Sequence, residues 1–218
     1  MTEHRIDPAT LRLYVVTSAS FLGRSHLDVA AAAIEGGATA VQLRAPELAE
    51  HEAFVVAREL VSRCRAAGAA AIVNDRVDVA VAARADGVHV GQADGPDRTR
   101  AALGSDGVLG ISVATPEEAV AAESSGADYV GVTVWSTATK PGARAVGLDG
   151  VAAVAAATRL PVVGIGGIAA ANAAEVIAAG AAGVAVVSTV AAADDPVAAV
   201  RELRAAVEAA TAAARTTA

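Results

Sequence analysis

The chain has 218 residues, of which 54% are hydrophobic and only 2% aromatic, and its formal net charge is −7 at pH 7. This length suits one domain with one large core, built mainly from Ala, Val, Ile and Leu. The negative charge argues against nucleic acid or an anionic membrane as a partner, and no apolar run is long enough to span a bilayer. The amino terminus has no signal-peptide pattern, so we expect a cytoplasmic protein.

Short apolar runs that suit strands alternate along the chain with helical patterns. The strand runs are predicted at residues 11–17, 38–43, 70–73, 87–90, 108–112, 129–133, 161–165 and 183–187. The helical patterns are predicted at residues 27–34, 48–67, 77–83, 98–103, 115–125, 147–158, 169–179 and 196–214. Eight such units indicate a single-domain (β/α)8 TIM barrel over residues 1–218, with flexible ends at about 1–10 and 211–218. An open doubly wound sheet is the alternative.

Two neighbouring strand runs each lead into a carboxylate. Residues 70–73 run into Asn74 and Asp75, and residues 87–90 run towards Asp94. Loops that follow parallel strands lie at the same end of a sheet, so the two aspartates could hold a hard cation such as Mg²⁺. Taken singly, Asp75 would also suit a helix cap and Asp94 a turn.

Polar residues at other strand ends suit an anionic ligand. Gly166-Gly167 and Ser188-Thr189 follow the seventh and eighth runs, where barrels commonly bind phosphate, although the glycine pair also suits a tight turn. The period-2 spacing places Gln42 and Arg44 on one side of the second strand, which fits an anion or a solvated strand end. Lys140, the only lysine, lies in a polar loop and is a candidate phosphate contact.

Four further residues are assigned structural roles. Cys64 is the only cysteine, so it cannot form a disulfide within the chain, and it lies in a helical pattern without a nearby histidine. Asp86 and Asp128 lie at the start of their strands, away from the expected site. His89 lies within a strand, where a packed side chain is the more common case.

Several segments together resemble the thiamine-phosphate synthase family, over about residues 13–190. They are NDRVD at 74–78, ADGVHVGQAD at 85–94, TATK at 137–140, VGIGGI at 163–168 and VS at 187–188. Enzymes of this family join a hydroxymethylpyrimidine diphosphate to a thiazole phosphate and release diphosphate. The resemblance therefore implies a Mg²⁺-dependent transferase whose partners are two small phosphorylated heterocycles, with no nucleic acid or membrane involved.

The resemblance also implies roles for individual residues. Asp75 and Asp94 would hold Mg²⁺. The expected contacts to the pyrimidine diphosphate are Gln42, Arg44, Asn74, Ser112 and Lys140. The expected contacts to the thiazole phosphate are Thr137, Thr139, Gly167, Val187 and Ser188. The expected catalytic residues are Lys140, Arg44 and Ser112. The metal, the lysine and the arginine would stabilise the negative charge that builds on the leaving diphosphate. The thiazole nitrogen is the attacking atom, so no protein nucleophile is required.

The chain departs from the family pattern at two places. Ala45-Pro46 stands where the family usually has a further residue and a lysine. After the sixth strand, residues 133–136 replace the family's usual Gly-Pro and are one residue shorter. Two alternatives therefore stay open. One is a thiazole tautomerase-like isomerase, which uses a histidine near the end of the sixth strand, and the other is a non-catalytic barrel that binds a phosphorylated ligand.

Overall fold

The computed structural model describes residues 6–19, 21–136 and 142–217, without the side chains of Asp94 and Thr217. In these segments, eight parallel strands pair in chain order, and the last pairs with the first to close a barrel. The strands are β1 (Leu13–Val16), β2 (Ala40–Leu43), β3 (Ala70–Asn74), β4 (Gly87–Val90), β5 (Val108–Val113), β6 (Tyr129–Thr133), β7 (Val162–Ile165) and β8 (Gly183–Val186). The predicted (β/α)8 barrel is confirmed, and the open sheet was the wrong alternative.

Helices surround the barrel. They are α1 (His26–Gly36), α2 (Glu50–Ala67), α3 (Val77–Ala83), α4 (Pro96–Leu103), α5 (Pro116–Ser124), α6 (Gly147–Ala157), α7 (Ala173–Ala178), α8 (Ser188–Ala191) and α9 (Pro196–Thr217). Gly37 and Gly68 end α1 and α2 in left-handed conformations, with φ of 93° and 71°. The Thr115 side chain caps α5 by accepting a hydrogen bond from the Glu118 N–H, at 3.2 Å. Among the described residues, none of these helices has the length and apolarity needed to cross a membrane.

The amino-terminal segment is more regular than the sequence indicated. Residues 11–12 do not belong to β1, because Pro8–Leu11 forms a short 3-10 helix. The Asp7 side chain caps this helix by accepting a hydrogen bond from the Ala9 N–H, at 2.8 Å. At the other end of the chain, α9 continues to Thr217, three residues beyond the predicted helix end at 214.

Two differences lie near the predicted phosphate site. The helix after β7 begins at Ala173 and not at Ala169, because the Asn172 side chain closes a turn before it. Its Oδ1 accepts a hydrogen bond from the Ala169 N–H at 2.8 Å, and its Nδ2 donates to the Gly167 carbonyl at 3.0 Å. The short helix α8, which directly follows β8, was not predicted.

The barrel interior contains its own apolar cluster, separate from the larger core between strands and helices. It consists of Ile6, Leu11, Tyr14, Val16, Ala40, Ile72, Val108, Tyr129, Val163 and Ala185. Leu11, from the 3-10 helix, is fully buried at the amino-terminal end of the barrel. Its carbonyl approaches Gly183 so closely that a Cβ there would overlap it. This end of the barrel is therefore filled, and open space lies at the other end.

Asp86 and Asp128, at the strand starts, have the structural roles that were predicted for them. Asp86 and Asp128 accept hydrogen bonds from the backbone N–H groups of Ala71 and Leu109, at 2.7 and 2.8 Å. Asp128 also pairs with Arg100 at 2.5 Å. Cys64 is buried and free, and burial, with a smaller effect from the Asp86 charge, raises the pKa of its thiol to about 12. A neutral, enclosed thiol cannot act as a nucleophile.

Candidate active site

A pocket of about 430 Å³ opens at the carboxyl ends of the strands. The predicted substrate contacts that the structure describes all line it, and they are Gln42, Arg44, Asn74, Ser112, Gly167, Val187 and Ser188. They come from strands or loops that are distant in sequence, and the closed barrel brings them together. The other predicted contacts, Thr137, Thr139 and Lys140, lie outside the described residues.

The Arg44 backbone is held by a group of polar side chains, of which Thr17 and His26 are buried and Glu47 is exposed. Its N–H donates to the Thr17 hydroxyl at 3.4 Å, and this hydroxyl lies 2.9 Å from His26 Nδ1. The other ring nitrogen, Nε2, lies 2.6 Å from a Glu47 carboxylate oxygen. Partial burial raises the pKa of Glu47, but the His26 hydrogen bond and the nearby Arg44 charge outweigh it, so the net pKa is below the usual value. The loop that carries Arg44 is therefore fixed by contacts from Thr17, directly after β1, from His26 at the start of α1 and from its own Glu47.

Asp75 lies directly after β3 and is exposed. Its φ is 61°, a left-handed value that is uncommon outside glycine and is tolerated best by Asn and Asp. One carboxylate oxygen accepts a hydrogen bond from Asn74 Nδ2 at 2.5 Å. Asp75 is not the cap of α3, because Arg76 occupies the cap position and no side chain caps that helix. The Asp75 carboxylate is therefore exposed and is not used to cap α3.

Of the two predicted metal ligands, Asp75 is the one whose side chain the structure describes. Asp94 ends the short 3-10 helix Gln92–Asp94 after β4, and its side chain is outside the described part. Among the described side chains, no group of three or more His, Cys, Asp or Glu residues could hold a metal ion. Mg²⁺ commonly takes only one or two protein carboxylates and fills its other positions with water and phosphate oxygens. An exposed, oriented carboxylate at the pocket end of the barrel fits this requirement.

A second cavity, of about 210 Å³, lies beside the first and shares Asn74 with it. It is lined by Asp75, Arg76 and the Ala45-Pro46 segment, at the place where the resembling family usually has a lysine. Arg76 Nη2 donates to the Leu48 carbonyl at 2.6 Å. The other terminal nitrogen, Nη1, is buried and makes no hydrogen bond within the described part of the chain. The Arg76 guanidinium therefore places a cationic donor in the same cavity as Ala45-Pro46, the segment that lacks the family's lysine.

The opposite side of the pocket has the features of a phosphate site. Gly166 and Gly167, after β7, have positive φ values of 99° and 67°, which favour glycine. The Thr189 hydroxyl donates to the Ile168 carbonyl at 2.6 Å and thereby joins the loops after β7 and β8. Ser188 begins α8 next to these glycines and lines the pocket. Backbone amides and hydroxyls at this place are the usual means by which (β/α)8 barrels hold phosphate.

Five side chains form a continuous hydrogen-bond chain across the barrel interior, which we call the transverse chain. Gln42 Nε2 donates to the Tyr14 hydroxyl at 2.7 Å, and the Tyr14 hydroxyl lies 3.0 Å from that of Tyr129. The Tyr129 hydroxyl lies 3.0 Å from His89 Nδ1, and His89 Nε2 lies 2.9 Å from Ser112 Oγ. Both ends of the transverse chain are predicted substrate contacts.

The sequence analysis missed the middle of the transverse chain. His89 was assigned a packed role, and it does pack against the Tyr129 ring, but its place in the pocket lining and its contact with Ser112 were not predicted. Neither tyrosine was singled out. The signal was present, since the chain has only two tyrosines and both lie in strand runs. Burial strongly raises the pKa of both phenols, so both keep their protons.

Fold and pocket together define a (β/α)8 barrel whose pocket lies at the carboxyl ends of the strands and presents an arginine, serine hydroxyls and a glycine loop that suit an anionic group. The model of the thiamine monophosphate synthase family matches residues 13–190. The chain belongs to this family.

Individual relatives agree with this assignment. The thiamine-phosphate synthase of Chloroflexus aurantiacus is 50% identical over 155 residues, which cover 70% of this chain and 72% of the relative. The thiamine biosynthetic bifunctional enzyme TH1 of Arabidopsis thaliana is 46% identical over 162 residues, which cover 72% of this chain but only 31% of that longer relative. The solved thiamine phosphate pyrophosphorylase from Pyrococcus furiosus matches with a TM-score of 0.87 at 38% identity, over 93% of this chain and 98% of that one.

Proposed function

We propose that the chain is a Mg²⁺-dependent thiamine-phosphate synthase and that the main pocket is its active site. It couples 4-amino-2-methyl-5-hydroxymethylpyrimidine diphosphate with 4-methyl-5-(2-phosphoethyl)thiazole to give thiamine phosphate and diphosphate. The family match and the identity to thiamine-phosphate synthases confirm the transferase activity that the sequence predicted. The observation that supports the location is the convergence of seven predicted contacts on one pocket.

The reaction requires one bond exchange. The bond between the pyrimidine methylene carbon and the diphosphate oxygen breaks, and the thiazole nitrogen forms a new bond to the same carbon. Positive charge develops on the electron-rich pyrimidine while negative charge builds on the departing diphosphate. The enzyme therefore needs to align two ligands and to stabilise an anion, and it needs no covalent intermediate.

The roles proposed for the side chains follow from their positions. Arg44 is a permanent cation in the pocket lining and would bind the diphosphate. This interaction would become stronger as negative charge builds on the leaving diphosphate. Ser112 would donate a hydrogen bond to the same group. Lys140 would add a second positive charge, as the resemblance implies. Asp75 and Asp94 would hold Mg²⁺, which supplies further charge neutralisation to the leaving group.

The thiazole phosphate would bind on the opposite side of the pocket. Gly167, Val187 and Ser188 line this side, and Thr137 and Thr139 are implied by the resemblance. Gly166 and Gly167 allow the backbone to approach a phosphate closely, because neither has a side chain to obstruct it. The two phosphorylated groups would then lie on opposite sides, with the reacting heterocycles between them.

The comparisons do not favour the isomerase alternative. The named relatives are synthases, and residues 133–136, at the end of β6, include no histidine. A test separates the alternatives: the purified chain is incubated with both substrates, with either one alone, and with both substrates plus a chelator. We expect diphosphate release only with both substrates and Mg²⁺, restored when Mg²⁺ is added in excess of the chelator. Ligand binding without diphosphate release under any of these conditions would contradict the proposal.

A further inference from the structure

The transverse chain is built into the barrel and does not arise from chance surface contacts. Tyr14 and Tyr129 are almost fully buried, with 2% and 1% of their surface exposed. Gly110 and Gly131 leave the space that the rings need: a Cβ at Gly110 would overlap the Tyr129 ring, and one at Gly131 would lie 2.9 Å from His89 Cε1. Glycine at these two positions, on β5 and β6, therefore leaves room for the Tyr129 and His89 rings of the transverse chain.

The direction of each hydrogen bond follows from counting protons. The Gln42 amide donates to the Tyr14 hydroxyl, so the Tyr14 proton is available for Tyr129. The Tyr129 proton is then available for His89 Nδ1, which must accept it. Buried hydroxyl groups rarely leave a proton without an acceptor, and this order gives both tyrosine hydroxyl protons an acceptor.

The same assignment of protons determines whether Ser112 donates or accepts its hydrogen bond with His89. If His89 Nδ1 accepts, the neutral ring carries its proton on Nε2, and this proton is donated to Ser112 Oγ. The Ser112 hydroxyl proton is then not used by His89. Since Ser112 lines the pocket, its proton is available to an anion bound there. The reverse order, in which Ser112 donates to His89, would require the Gln42 amide to present its oxygen to Tyr14.

We propose that His89 is a positioning residue, which through the transverse chain holds Ser112 as a hydrogen-bond donor to an oxyanion in the pocket. Within the proposed function, on which this point rests, the oxyanion is the diphosphate. His89 itself transfers no proton and makes no bond to the reacting carbon. Its neutral tautomer with hydrogen on Nε2 determines which way the serine hydroxyl points, and Tyr129 determines the tautomer.

The matched pair Tyr129→Phe and Tyr14→Phe tests this directly. Each removes one buried hydroxyl and keeps the ring, but only Tyr129 contacts His89. The first readout is the ¹⁵N spectrum of the histidine side chains at one fixed pH, in which the His89 signals among the four histidines are identified by their loss in His89→Gln. We expect a protonated Nε2 and an unprotonated Nδ1 in the wild type and in Tyr14→Phe, and a mixture of tautomers in Tyr129→Phe. Protonation of Nδ1 in the wild type would overturn the proposal.

The second readout is the affinity for inorganic diphosphate in the presence of Mg²⁺. Because the lost hydrogen bond is to a charged group, Tyr129→Phe and Ser112→Ala should each weaken binding about tenfold. Tyr129→Phe should add nothing in the Ser112→Ala background, since its effect acts through the serine. His89→Gln, which can still accept through Oε1 and donate through Nε2, should bind better than His89→Leu. Equal weakening by Tyr129→Phe in both backgrounds would show a merely structural effect and refute the role.

Neither readout requires turnover. If the chain failed to couple the two substrates, the tautomer and the diphosphate affinity would still decide the role of His89. Conversely, a wild-type coupling rate in Tyr129→Phe with unchanged diphosphate affinity would refute this inference and leave the proposed function intact.

Discussion

Replacing Gly110 with alanine should damage the barrel interior although the change adds only one methyl group. Gly110 lies beside Tyr129 in the pairing of β5 with β6, and the added Cβ would overlap Cζ, Cε1 and the hydroxyl of the Tyr129 ring. The ring cannot move aside freely, because it is fully buried and packs against Tyr14 and His89, with ring centroids 6.1 and 5.5 Å away. The methyl group must therefore displace an aromatic side chain in a closed interior.

The expected magnitude follows from this overlap. Overpacking a filled core costs about 1–3 kcal/mol of unfolding free energy. For a domain of this size, each kcal/mol lowers the melting temperature by roughly 2–4 °C, so Gly110→Ala should melt about 2–12 °C below the wild type. Gly142→Ala is the matched control, because no atom of the described residues lies within 4 Å of its Cβ position and its φ is not positive. Its unfolding free energy should change by less than about 0.5 kcal/mol.

Urea unfolding followed by circular dichroism measures both variants. We expect a lower midpoint for Gly110→Ala at an unchanged slope, and a midpoint close to the wild type for Gly142→Ala. Tyr129→Leu removes the ring that the methyl group meets, so the double variant should be less destabilised than the sum of the two single changes. A Gly110→Ala protein that unfolds at the wild-type midpoint would refute the packing of Tyr129 against this glycine.

Four further predictions concern single groups. Asp75→Asn, chosen because asparagine tolerates the φ of 61°, should abolish Mg²⁺-dependent coupling while the melting temperature stays near that of the wild type; full activity would remove Asp75 from the metal site. Lys140→Ala should lower kcat more than it raises KM, because the charge that it balances grows in the transition state, whereas a change in KM for the thiazole alone would assign it to the other ligand. Cys64 should react with a thiol reagent only after unfolding, since its pKa of about 12 and its burial keep it neutral and enclosed; reaction in the native state would contradict this. Hydrogen bonds from Thr158 and Arg159 lower the Glu123 pKa below its usual 4.5, so the stabilisation is complete above pH 4.5 and is lost as the pH falls through the folded-state pKa; Glu123→Gln should flatten this part of the stability profile.

The sequence predicted the barrel well, because its signals are local. Each apolar strand run can be recognised from a few consecutive residues. The same holds for the glycines that end helices, such as Gly37 and Gly68. The expected positions of Asp86 and Asp128 also follow from the order of strand and helix alone. The error at the start of α7 has a local cause of another kind, since a side-chain turn at Asn172 competes with the helix there.

The part of the site that could not be predicted depends on partners distant in sequence. Tyr14 and Tyr129 are 115 residues apart, and their contact exists only because the barrel closes. The contacts of His89 were not predicted for the same reason, since its two partners come from β5 and β6. Residues at strand ends, by contrast, were predicted to converge because parallel strands place their carboxyl ends together.

The family assignment and the pocket together predict one stoichiometric reaction. The most direct test is to follow both substrates by ³¹P NMR as the purified chain and Mg²⁺ act on them. We predict that the pyrimidine diphosphate signals decline while inorganic diphosphate and thiamine phosphate increase in a one-to-one ratio. Diphosphate release without thiamine phosphate, or no change in either substrate, would contradict the account.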